Sequence, residues 1–158
     1  MTMIDPKNIR FIDLPKKSST SKYQKTTNSF VKFLSKNNDI TAIYSIGQIS
    51  NIGISDLDFV IILKNKLTNP KKCVTDINNA IKINPYLIIH YPLLITEKSF
   101  PYIHYLFPVF DMNKLYGKNY LLNKPRNQKL MKTIIINDYV NFHWPREFNR
   151  WFLQKKIN

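Results

Sequence analysis

Cys73 is the only cysteine, so no disulfide can form within the chain, and a reducing, cytoplasmic setting is the expectation. No apolar run approaches the ~20 residues that a membrane span needs, and none at the N-terminus suits a secretory signal. Repeats and low-complexity tracts are absent as well. Arginine is scarce: Arg10, Arg126, Arg146 and Arg150 are all there are, and the net charge of +14 otherwise rests on scattered lysines. That spread is a bias of composition, not a patch built for phosphates. A basic surface still attracts nucleotides and RNA, so the charge permits such ligands without arguing for them.

What remains is enough for one domain. The 158 residues can bury a proper core, and 44% hydrophobic with 13% aromatic residues argues against disorder. The chain is organised around Ile43–Leu63. An apolar run ends at Gly47, a turn-rich stretch surrounds Asn51–Gly53, and Asp56-Leu57-Asp58 opens a second apolar run. Alternate strand residues point to one face, about 6.6–7 Å apart, so Asp56 and Asp58 should project together. Two such carboxylates can share a divalent cation, or two metals roughly 3.5–4 Å apart. The glycine before them lets backbone approach a bulky anion.

Apolar strand, Gly-x, short loop and Asp-x-Asp resembles the signature of the polymerase-beta-like nucleotidyltransferase superfamily, carried here by Gly47, Gln48, Asp56 and Asp58. The resemblance implies Mg²⁺-dependent transfer of a nucleoside monophosphate from a nucleoside triphosphate, ATP by expectation, to a hydroxyl acceptor. It implies Asp56 and Asp58 as metal ligands and catalytic residues, and phosphate contacts from the amides after Gly47. Gln48 stands where the superfamily usually has serine or glycine, and the Gln48–Asp56 gap is shorter than the common one. Ser50 and Ser55 lie in the same loop and could supply the missing hydroxyl.

In chain order, Met1–Lys17 reads as an irregular lead-in. A helix over Lys22–Lys36 follows, buried through Tyr23, Thr27, Phe30 and Leu34. Strands follow over Ile40–Ile46 and Asp56–Leu63. Asn69-Pro70 starts a helix that runs to Lys82, with Val74, Ile77 and Ile81 inside and Cys73 nearby as a small hydrophobe. A third strand is expected over Tyr86–Tyr91, with His90 as a packed side chain, and Leu93–Thr96 either extends the sheet or forms a short edge strand. Ile103–Met112 reads as extended and Leu115–Gly117 as a turn. The resembled fold carries a third carboxylate near the third strand; Asp111 and then Glu97 are the candidates, each as readily a solvated acid. Gln128–His143 reads as a helix. Phe148, Trp151 and Phe152 form an aromatic stripe beside Arg146, Arg150, Lys155 and Lys156, more simply core packing than a base-stacking surface.

The expected fold is α/β (α+β): a small mixed sheet with helices mainly on one face, a core over 18–117 and a helical tail over 118–158, in one domain. Two further readings stand beside the enzyme. One is a non-catalytic descendant that binds nucleotide or RNA; the other is a toxin–antitoxin-type module whose work is protein binding. Acceptor, base preference, and a homo-oligomeric or partner-bound state stay open.

Overall fold

The computed structural model describes residues 18–49, 51–106, 111–122, 127–138 and 140. The chain divides into two compact units, Lys16–Lys124 and Met1–Pro15 with Pro125–Asn158. The first contains α1 (Thr20–Leu34), β1 (Ile40–Ile46), β2 (Asp58–Leu63), α2 (Pro70–Ile81), β3 (Leu93–Thr96), a 3₁₀ turn (Phe100–Tyr102) leading into α3 (Ile103–Leu106), and β4 (Met112–Gly117). In the second, α4 spans Gln128–Asp138. No helix among the described residues is long and apolar enough to cross a membrane.

Both long helices start where their caps dictate. The Ser19 hydroxyl accepts the Lys22 amide at 3.3 Å, and the Asn69 side chain accepts the Lys72 amide at 3.0 Å ahead of Pro70. Each bond satisfies an amide that the first helical turn leaves without a partner. α1 buries Tyr23, Thr26, Phe30 and Leu34, so Thr26 takes the place expected of Thr27. α2 is rotated by about one residue from expectation. Cys73, Ile77 and Ala80 face the core, while Val74 is 48% exposed. Burial, then the charges of Asp39 and Asp76, push the Cys73 thiol up, away from the reactive thiolate.

The sheet runs β3-β2-β1-β4. β1 pairs antiparallel with β2 and β4, and β2 pairs parallel with β3 through the α2 crossover. Both faces of the central strands are covered, which is why Phe59–Leu63 carries no polar residue. Ile43, Phe59, Ile61 and Leu63 pack with α1 and α2; Phe30 stacks on Phe59 with ring centroids 4.2 Å apart. Ala42, Tyr44, Val60 and Ile62 pack with Phe100 and Ile103. The two long helices thus share one face, and among the described residues the short helical turns from Phe100, with Tyr120 and Leu122, pack on the other.

Three local expectations are corrected. Tyr86–Tyr91 is no strand. Asn84 closes a turn by accepting the Leu87 and Ile88 amides at 3.1 and 2.9 Å, which sinks Leu87 and Ile88 into the core. Ile103–Leu106 is helical, because the 3₁₀ turn from Phe100 feeds directly into it. Leu115–Gly117 belongs to β4 and is not a turn of its own. The aromatic stripe from Phe148 and the basic residues beside it lie outside the described residues, as does Met1–Lys17.

Candidate active site

The parallel pairing decides what surrounds Asp56 and Asp58. Val60 pairs with Leu93 and Leu63 with Thr96, so the residues just ahead of β3 come beside those just ahead of β2. Asp58 opens β2 opposite Ile46, and Gly47 follows β1 at the same end of the sheet. His90 is brought there too. Its Nε2 lies 3.2 Å from Asp56 Oδ2, with the His90 side chain 69% exposed. The expected packed histidine is therefore a solvent-facing partner of the first aspartate.

Gly47 has φ 68°, the left-handed region that favours glycine. Its amide donates to the Asp111 carbonyl at 2.7 Å, which commits it to β4. Gln48 is exposed, and the amides of Gln48 and Ile49 have no partner among the described residues. The loop ahead of the aspartates is a tight turn: the Ile54 and Ser55 amides donate to the Asn51 carbonyl, and the Ser55 hydroxyl accepts the Asn51 amide at 3.1 Å. Ser50 lies outside the described residues.

Electrostatics mark Asp58. Burial first, and then the charge of Asp56, push its carboxyl above the ordinary carboxylate range, against a smaller opposing pull from His90. In a chain with 24 lysines and arginines, none pairs with either aspartate among the described residues. Two neighbouring carboxylates that the protein leaves without a permanent cation are the donor chemistry a hard divalent ion takes.

Neither candidate for a third carboxylate joins them. Asp111 precedes β4, two strands from β2 across β1. Ile46 pairs with Asp58 on one side and Met112 on the other, which separates those backbones by roughly 9–10 Å. Glu97 lies at the far end of the sheet, where its amide donates to the Leu63 carbonyl. The Tyr120 hydroxyl at 2.7 Å and Lys118 at 3.0 Å hold the Glu97 carboxyl below its usual range. Among the described residues no three histidine, cysteine, aspartate or glutamate side chains gather so as to hold a metal ion unaided. Mg²⁺ characteristically takes one or two carboxylates and completes its shell with water and substrate phosphates, so the Asp56–Asp58 pair still fits it.

Two features of the site have no local signature. His90 reaches Asp56 only through the register of β2 with β3, and Tyr23 bonds the loop backbone from a different helix, its hydroxyl donating to the Ser55 carbonyl at 2.6 Å.

No model of a known protein family matches the chain, and no curated protein does. Similar solved structures include a tri-AMPylated Shewanella oneidensis HEPN toxin in complex with MNT antitoxin (TM-score 0.39, 12% identity, 85% of this chain and 98% of that one). The toxin–antitoxin MntA-HepT is similar at TM-score 0.38 and 12% identity, covering 85% and 99%. A toxin–antitoxin with AMP-PNP is similar at TM-score 0.34 and 14% identity, covering 84% and 98%. Superpositions this loose carry no argument about activity, which has to come from the chain's own residues.

Proposed function

We infer that this chain is a nucleotidyltransferase that moves a nucleoside monophosphate from a nucleoside triphosphate to a hydroxyl acceptor. One observation carries the reading: Asp56 and Asp58 share one end of the sheet, with Asp58 held in a half-buried, electrostatically costly position and, among the described residues, no lysine or arginine paired with either. Such a position suits a group whose partner arrives with the substrate.

In this reading Asp56 and Asp58 hold Mg²⁺ together with the triphosphate. When bound, Mg²⁺ supplies the positive charge that offsets the charge developing on departing pyrophosphate. The Gln48 and Ile49 amides bind the outer phosphates as turn amides do for anions generally. Ser55, and Ser50 within the same loop, add hydroxyl donors. The acceptor oxygen attacks the α-phosphorus, its proton passes to solvent, and pyrophosphate leaves. Protein, RNA and small-molecule acceptors are all compatible with these residues, as is a partner protein or a second copy that presents one.

A second reading has its own support. Asp111 and Glu97 both stay away from the pair, which favours a domain that binds nucleotide or RNA without turning it over. Calorimetry with a nonhydrolysable ATP analogue, wild type beside Asp56→Asn/Asp58→Asn, tests the shared part. Mg²⁺-dependent binding that disappears in the double variant is the expected result, and no binding by wild type would overturn both readings at this site. Release of pyrophosphate from ATP then separates the enzyme from the binding module.

A further inference from the structure

We propose that Tyr23 is a positioning residue for the Asp56–Asp58 pair, acting through its hydroxyl on the backbone of the loop ahead of them; the inference rests on reading that pair as a metal–nucleotide site. Tyr23 is fully buried in α1. Its ring fills the α1–sheet core beside Leu57 and Phe59, work that phenylalanine could do equally well. The hydroxyl is what tyrosine adds. It donates to the Ser55 carbonyl at 2.6 Å and accepts the Gly53 amide at 3.0 Å.

Both partners are backbone atoms of one turn, and that turn ends directly before Asp56. A buried hydroxyl left unbonded is costly, so the ring and the loop hold each other in one arrangement. On the other side of Asp56, the Leu57 amide donates to the Leu87 carbonyl at 2.7 Å. Asp56 is thus held between two fixed points, one on α1 and one on the turn that brings His90. Without the Tyr23 hydroxyl, the Gly53 amide and the Ser55 carbonyl lose their bonds to α1, and Asp56 loses that fixed point ahead of it. Residues that hold a ligating carboxylate in place set metal affinity without touching the metal.

The test measures Mn²⁺ binding, by calorimetry and by the electron paramagnetic resonance signal of free Mn²⁺, for wild type, Tyr23→Phe and Ile77→Val. Ile77 lies in the core on α2, outside the loop segment, and serves as a control for mild loss of stability. Tyr23→Phe should weaken Mn²⁺ about tenfold, whereas Ile77→Val, measured equally far below its melting temperature, should bind as wild type does. Equal binding by wild type and Tyr23→Phe overturns the inference and leaves the metal reading standing. Equal weakening in Ile77→Val also overturns it, because general destabilisation would then explain the loss. Should wild type bind no Mn²⁺, the metal reading fails, and amide hydrogen exchange decides the role of Tyr23. Faster exchange confined to 51–58 in Tyr23→Phe, with Gly53 the most affected, keeps Tyr23 as the loop's anchor. Unchanged exchange there overturns it.

Discussion

Asp58 and Asp39 are aspartates whose pKa values shift in opposite directions. Burial and the charge of Asp56 raise the Asp58 carboxyl, so a proton binds it more tightly in the folded chain than in the unfolded one. Its contribution to stability is present at low pH and lost as pH rises through the raised folded value. Ionised Asp58 therefore opposes folding near neutrality. Asp58→Asn should raise the melting temperature by roughly 2–4 °C at about pH 7, a gain of order 1 kcal/mol typical of relieving a functional site. Scanning calorimetry should show the gain shrinking as pH falls through the raised folded value, where wild-type Asp58 takes up its proton. Asp39 behaves in reverse. Its buried carboxylate accepts the Asn69 and Thr68 amides at 2.9 and 2.8 Å, and these bonds hold it below the ordinary range. Its contribution is present above the unfolded value and lost as pH falls through the depressed folded one. Asp39→Asn should lower the melting temperature at neutral pH, with the deficit fading in acid.

Elements were legible where their signal is local. The three-and-four spacing in α1, the Asn69-Pro70 start of α2, and the unbroken apolar run of β2 all reflect bonds and burial within a few residues. The closeness of Asp56 to Asp58 is local in the same way, since they stand two positions apart in sequence. Tyr86–Tyr91 was not, because an apolar run flanked by prolines suits a strand as well as a turn that buries Leu87 and Ile88. What decides it is distant: α2 sets where β3 meets β2, and the Leu87 carbonyl is taken by Leu57. His90 and Tyr23 were hidden by the same non-locality, since their partners lie on other elements. Gly117 shows how strictly one element can constrain another. It sits at φ 82° in β4, and a Cβ there would collide with the Thr41 carbonyl oxygen and crowd the Ala42 Cα. Gly117→Ala combines backbone strain with a backbone clash and should cost more than about 3 kcal/mol. Gly47→Ala meets open space beyond its φ of 68° and should cost about 1–2 kcal/mol. Urea denaturation of the two variants side by side checks that order.

For the whole molecule, the costly placement of Asp58 and the proposed ligand are linked. Whatever binds only the folded state stabilises it by RT ln(1 + [L]/Kd), about 2.7 kcal/mol at a hundred times Kd. A bound cation would also offset the burial and, after it, the Asp56 repulsion that raise the Asp58 pKa, so metal and folding would reinforce each other at this end of the sheet. Melting with Mg²⁺ and a nonhydrolysable ATP analogue in large excess should raise the wild-type transition by roughly 5–10 °C, and either component alone should do less. Asp58→Asn should begin above wild type without ligand and finish below it with ligand. That crossing separates a site strained for function from two acids that are merely solvated: a solvated pair gives neither the starting gain nor the lost response. If Asp58→Asn keeps the full ligand shift, the triphosphate is held elsewhere and the strain at Asp58 has another cause.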